Sequence, residues 1–296
     1  MSATLEKASP SSLDLDPKAL ERLLETVTRH IAEGRYPGAQ LAVARHGKLA
    51  LFETIGDART EPGRAAASQD TLWLLYSNTK VLTACAVWVL VERGALSFTD
   101  KVADHLPGFE QNGKGDITVI QLLTHQGGFP NAQMPKAVWD DHELMRKTVC
   151  AFTLEWTPGS RVHYHTLAAH WTAAAMIEAL TKADYRDFIR TSVIEPLGLD
   201  QELYVGVPDA QHGRTVDIHE PSADGRRQVV RADENNPEFR RAGSPGGGGY
   251  GTARAMATFY QMMAHGGTLN GVRLLSQRMV EYVTRNFTGE RVDGYM

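Results

Sequence analysis

The chain has 296 residues, 42% hydrophobic and 22% charged, the make-up of a globular protein with one large domain or two lobes around a continuous core. A formal net charge of -4 gives no electrostatic case for nucleic acid or an anionic membrane as partner. Two cysteines, Cys85 and Cys150, are too few for a disulfide framework and form no C-x-x-C pair, so a reducing compartment is expected.

The start, MSATLEKASPSSLDLD, lacks a basic segment followed by an apolar one, and the longest apolar run, residues 81–91, is too short to span a bilayer. The expected location is therefore cytoplasmic. DPKALERLLETVTRHIAEG, residues 16–34, reads as a helix: Asp16 can cap it, Pro17 suits its first turn and Gly34 can close it. AQLAVAR and KLALFETIG flank His46-Gly47 and predict a strand–turn–strand hairpin. From about residue 71 to 200 the pattern is mostly helical. Thr118 and Gln121 form a capping box, and DDHELMRKTVCAF, TLAAHWTAAAMIEALTKA and ADYRDFIRTSVIEPLG read as further helices. Residues 206–240 form a polar excursion with one short strand, RQVVRA. TARAMATFYQMMAHGG and SQRMVEYVTRNF are the last helices. A hairpin needs further strands or helices against it, and this order leaves it short of partners.

One stretch stands apart. Between residues 71 and 91 the only charged side chain is Lys80, three residues after Ser77 at the head of an apolar helix. On a helix the two side chains share a face. Near a helix start, the Ser77 N–H is free for an oxyanion and the helix dipole favours negative charge. A serine hydroxyl needs a base, and a lysine in water, with a pKa of about 10.4, holds its proton too tightly to be one. Apolar surroundings lower that value by disfavouring the ammonium. The bland alternative is a lysine that snorkels to water.

QDTLWLLYSNTKVLTACAVWVLVERGALSFTDKVADHLPGF, followed by ITVIQLLTHQGGFP, resembles the serine β-lactamase-like family, which includes class C β-lactamases, penicillin-binding DD-peptidases and β-lactamase-fold carboxylesterases. The likeness extends from PGAQLAVARHGK through GSPGGGGYGTA, nearly the whole chain. It implies an α+β fold, an antiparallel sheet flanked by helices plus an all-helical lobe. The α/β lobe would take residues 1–70 and 240–296, the helical lobe residues 71–239, with the active site between them. It also implies that Ser77 is acylated, with Lys80 and Tyr164 as its proton-transfer pair. Tyr164, in RVHYHTLAAHW, matches the family's second motif, usually Tyr-x-Asn. His163 and His165 are expected to line the cleft beside it. Thr166 stands where lactam and peptide hydrolases carry asparagine, which favours the esterase branch.

The family's third motif, Lys/His-Thr/Ser-Gly or Trp-x-Gly on a strand, is not found, and the chain stops at ERVDGYM. The expectation is a truncated, cleaved or partly recorded form of a longer protein. The expected function is hydrolysis of small carboxylic esters through an acyl-enzyme. The alternatives are a β-lactamase or D-amino-acid peptidase, and a non-catalytic binding module on the same fold.

Other constellations carry less. His163-x-His165-x4-His170 lacks a completing carboxylate, so no metal site is expected, and no organic cofactor is implied. GSPGGGGYG is not followed by Gly-Lys-Ser/Thr and is read as tight turns before a helix, not a phosphate loop. His142-Glu143 is read as surface charge, and His125 as a structural residue bonding loop backbone.

Overall fold

The computed structural model describes residues 5–222, 228–231 and 234–295. A two-residue strand, β1 (Glu6–Lys7), precedes helix α1 (Pro17–Ala32). The start of α1 follows its capping chemistry: Asp16 accepts from the Lys18 N–H at 2.9 Å and Pro17 occupies the first helical position. Strands β2 (Gly38–Arg45) and β3 (Lys48–Arg59) form the antiparallel hairpin. His46 and Gly47 both have positive φ, 55° and 71°, as the two-residue turn that matches strand twist requires. The hairpin finds its cover in β1, in β4 (Ala65–Ala66) and in later helices, giving a sheet of order β1-β3-β2 with β4 on β3.

Next come β5 (Trp73–Leu74), α2 (Thr79–Glu92), α3 (Val102–His105), α4 (Val119–Leu123), α5 (His142–Ala151), α6 (Ala168–Thr181) and α7 (Tyr185–Ile189). Thr118 and Gln121 make the expected capping box on α4. After α7 the helix widens and then tightens before Gly198, at φ 69°, ends it. Beyond β6 (Leu203–Val205), β7 (His219–Pro221) pairs with β8 (Gln228–Val230). That pairing realises the strand read in RQVVRA, although Arg227 and Ala232 lie outside the described residues. The chain continues through α8 (Pro237–Ala242), β9 (Gly249–Gly251), α9 (Ala253–Ala264), β10 (Thr268–Leu269), β11 (Val272–Arg273) and α10 (Gln277–Val283).

Two helices organise the interior. Ten of the fourteen residues of α2 are buried, and ten of the fourteen of α6, so both are apolar nearly all round and pack together at the centre. Ala173, Ala174 and Ala175 of α6 and Leu82, Cys85 and Val87 of α2 are all buried in the same core cluster. Truncating a leucine there, as in Leu82→Ala, costs about 2–5 kcal/mol. Helix α1, by contrast, buries only Val27, and α9 covers the hairpin along β2. Both cysteines are free and buried.

A second, three-stranded sheet has the order β5-β9-β6, all antiparallel. It corrects the reading of GSPGGGGYG, whose last three residues form the central strand. The glycines are needed for close approach: a Cβ on Gly249 would meet Thr79 Oγ1 at 2.8 Å, and one on Gly248 the Ser244 nitrogen at 2.4 Å. That sheet carries the chain into Ser77. Among the described residues, no helix is long and apolar enough to cross a membrane.

Candidate active site

At the end of β5 the Leu75 N–H donates to the Gly249 carbonyl at 2.8 Å, anchoring the chain one turn before α2. Tyr76 then takes φ 43°, a region costly for a bulky side chain, and a short 3-10 turn over Tyr76–Asn78 leads into the helix. Ser77 is exposed in that turn, where its N–H precedes any helical acceptor. Lys80, one turn on, is buried beneath it, only 8% exposed.

The Lys80 nitrogen makes three hydrogen bonds to oxygen, with the Tyr164 oxygen also near. It donates to the Gly246 carbonyl at 2.6 Å and the Thr166 carbonyl at 2.7 Å, and it lies 3.2 Å from Ser77 Oγ. Carbonyls only accept, so two of the amine's tetrahedral directions must be N–H. The third faces the serine hydroxyl. It is an N–H if Lys80 is charged and a lone pair if Lys80 is neutral. Burial lowers the Lys80 pKa below the ordinary lysine value, and the nearby Tyr164 oxygen opposes part of that shift.

Tyr164 comes from the irregular segment before α6. Its hydroxyl donates to Ser77 Oγ at 2.7 Å, and its ring centre lies 4.9 Å from the Lys80 nitrogen. Lys80 and Tyr164 thus both converge on Ser77 Oγ. The other expected contacts divide. Thr166 is exposed, and what it offers Lys80 is its backbone carbonyl. His163 is half-buried, packed beside Trp156 and Tyr295. His165 does not line the cleft: it is fully buried, its Nδ1 bonded to the His163 carbonyl at 2.7 Å and its Nε2 accepting the Phe129 N–H at 3.3 Å. Its apolar floor includes Phe129, whose ring stands edge-on to the imidazole at 5.0 Å.

The structure adds residues that the motif pattern misses. Thr79 Oγ1 accepts from the Gly249 N–H and Thr83 Oγ1 donates to the Pro245 carbonyl, both at 2.8 Å, so the α2 face that bears Lys80 grips the glycine-rich loop. Thr79 and Thr83, polar residues flanking Lys80 in an apolar helix, were the available signal. His125 bonds loop backbone as expected, and with His165 and His170 it forms an imidazole cluster behind Tyr164, with the His125 ring within 6.0 Å of each of the other two. Desolvation leads in pushing His125 and His165 down to about 4, and it holds His170 well below its ordinary value.

His142 is corrected as well. It is half-buried, with Nδ1 2.6 Å from Glu178, and its ligating atoms lie near those of Glu178 and Asp184. The Arg186 guanidinium sits on Asp184 at 2.6 Å and already supplies the positive charge there.

Fold and site together have the character of the β-lactamase class. Residues 23–294 match the family described as Beta-lactamase, and the chain belongs to it. It is 28% identical over 281 residues to the esterase/beta-lactamase LipL of Mycobacterium tuberculosis, covering 85% of this chain and 64% of LipL. The chain therefore spans less than two thirds of that relative's length. A penicillin-binding protein homolog from Caulobacter crescentus superposes with a TM-score of 0.78 at 29% identity, over 92% of this chain and 76% of the other. A family VIII carboxylesterase superposes with a TM-score of 0.79 at 27% identity, over 91% and 76% of the two chains.

Proposed function

We propose that the protein is a serine hydrolase that cleaves small carboxylic esters through an acyl-enzyme on Ser77. The observation that carries this is the Lys80 nitrogen, with two directions taken by carbonyls and the third turned to Ser77 Oγ. As Oγ attacks the ester carbonyl, its proton passes to Lys80, or to Tyr164 if the phenolate holds the charge. The two forms are one coupled system. The tetrahedral oxyanion takes the Ser77 N–H. When the carbon–oxygen bond to the alcohol breaks, Tyr164 gives the leaving alkoxide a proton and is reprotonated from Lys80. Water then attacks the acyl-enzyme, giving up its proton by the same route, and Ser77 regains its hydrogen.

Two features support an ester with apolar groups over a lactam or peptide. Thr166 supplies no side-chain amide for a peptide-like substrate. Of the six exposed large hydrophobic residues among the described ones, four surround the serine or its partners: Tyr76, Leu167, Tyr260 and Tyr295. Tyr260 bonds Asn78 at 3.2 Å, the residue after the nucleophile, and Tyr295 packs on Tyr164. Apolar surface gathered round a reactive oxygen favours an apolar occupant.

The penicillin-binding likeness keeps a D-amino-acid peptidase as second reading. Parallel rates on an aryl ester, a cephalosporin and a D-Ala-D-Ala peptide separate the two. In the intact protein, Ser77→Ala is expected to lower aryl-ester turnover by about 10⁴-fold or more and to abolish fluorophosphonate labelling. A variant that keeps most of its activity removes Ser77 as the nucleophile, and an unlabelled wild-type protein favours a binding module.

A further inference from the structure

The backbone that carries Tyr164 is held at three consecutive amides. The His163 N–H donates to the His125 carbonyl at 3.1 Å, the Tyr164 N–H to Asp293 Oδ1 at 2.9 Å, and the His165 N–H to His125 Nδ1 at 3.0 Å. Tyr164 lies in neither helix nor strand, because α6 begins only at Ala168. Regular structure therefore does not fix the direction of the phenol; the outside acceptors do so together with the His125 ring, 4.7 Å away, and the Tyr295 ring.

The Asp293 arm comes from the opposite end of the sequence. Asp293 pairs with Val162 in a parallel bridge, and the Gly294 N–H donates to the Val162 carbonyl at 3.0 Å. The Asp293 oxygen that takes the Tyr164 amide also accepts from the Tyr295 N–H at 2.9 Å. One oxygen thus ties two tyrosine backbones together, and their rings lie 5.4 Å apart. Burial opposes the charge on Asp293, yet the amides of Tyr295 and Tyr164 keep its pKa below the ordinary carboxylate value.

We infer that Asp293 is a positioning residue for the acylation step: by anchoring the Tyr164 amide, it holds the phenol oxygen on Ser77 Oγ. This rests on the proposed role of Ser77. Asp293 touches none of the reacting atoms and acts only through Tyr164. The phenol oxygen sits at the far end of the side chain, so a small rotation of the Tyr164 backbone is magnified there. A misplacement of about 1 Å costs roughly 10²-fold in rate. The role requires an acceptor oxygen at that reach and makes no demand on its charge.

The test is steady-state hydrolysis of a short-chain aryl ester by the intact protein and its variants. Asp293→Ala is expected to lower kcat by roughly 10- to 100-fold, with KM changed less than about twofold, and to slow fluorophosphonate labelling in step. Asp293→Asn keeps an acceptor oxygen in the same place and is expected to stay within about threefold of wild type on both readouts. If the alanine variant fails to fold, Asp293→Gln replaces it, since its acceptor sits one methylene too far along, with the same expected loss. A wild-type kcat in the alanine (or glutamine) variant overturns the inference. So does a loss in Asp293→Asn as deep as in alanine, or an effect confined to KM. Failure of the underlying reading looks different: the wild-type protein itself then neither turns over the ester nor labels at Ser77.

Discussion

Two buried lysines, Lys80 and Lys114, have opposite fates written in their partners. Lys114 is fully buried, and its nitrogen donates to three carbonyls, Gln111 at 2.7 Å, Cys150 at 2.9 Å and Phe152 at 2.5 Å. Lys80 donates to two carbonyls and meets a hydroxyl third. Burial lowers the pKa of both. A neutral Lys114 would turn its lone pair on a carbonyl oxygen, which also has only lone pairs to offer. At Lys80 the hydroxyl can reverse its hydrogen bond and become the donor, so a neutral amine is tolerated. One lysine is a staple for the end of α5, the other is the base of the proposed mechanism. The difference lies in a single third partner.

The largest effect that would break this contrast is on rate. Lys80→Met is expected to lower kcat by about 10²–10⁴-fold, the usual worth of a proton-transfer group, while the fold survives. Activity close to wild type would make Lys80 as structural as Lys114. The converse test is Lys114→Met, which takes the ammonium away from three carbonyls: Gln111 keeps the Lys114 backbone N–H and Phe152 the Asn112 amide, while Cys150 loses its donor. It is expected to lower unfolding stability by about 2–4 kcal/mol in denaturant titration, with kcat unchanged within about twofold. A selective loss of kcat would erase the distinction from the other side.

The smallest expected effect is on acid stability and sharpens the picture of the site's dry floor. His125 and His165 are pushed down to about 4, led by desolvation, from the usual value near 6.5. An unfolded chain therefore takes up protons there that the folded one refuses. The stabilisation is complete above about pH 6.5 and is lost as pH falls toward 4. Asp293, Glu155, His163 and Lys80 are the charged or titratable groups acting on these two rings, together with their mutual repulsion. The melting temperature should drop by roughly 5 °C or more between pH 6.5 and 4.5, and a flat profile would mean that water reaches the rings.

What was legible in the sequence was local. Asp16 and Gly34 bounded α1, His46-Gly47 marked the hairpin turn, and Thr118 with Gln121 the start of α4, since each rests on residues a few positions apart. Lys80 stood out because its neighbours carry no charge. Lys114, in Asn-Gly-Lys-Gly-Asp, looked like any polar loop lysine, and two of its acceptors come from residues 36 and 38 positions away. The β5-β9-β6 sheet escaped for the same reason: strands of two or three residues near positions 73, 203 and 249 have no periodicity to read. His165 sits one residue from Tyr164, and alternation alone cannot say which neighbour turns inward. Asp293 gave no signal, because its acceptor role exists only once residues 162–164 lie beside it.

The most direct test follows the Lys80 side-chain carbon signal by NMR through a pH titration, with Lys80→Met to assign it. Lys80 is expected to lose its proton below the ordinary lysine pKa of about 10.4, and the same titration should appear in the basic or neutral limb of kcat/KM. A Lys80 that stays protonated up to that value, with activity already at its plateau, would contradict the claim that dehydration makes this amine a base.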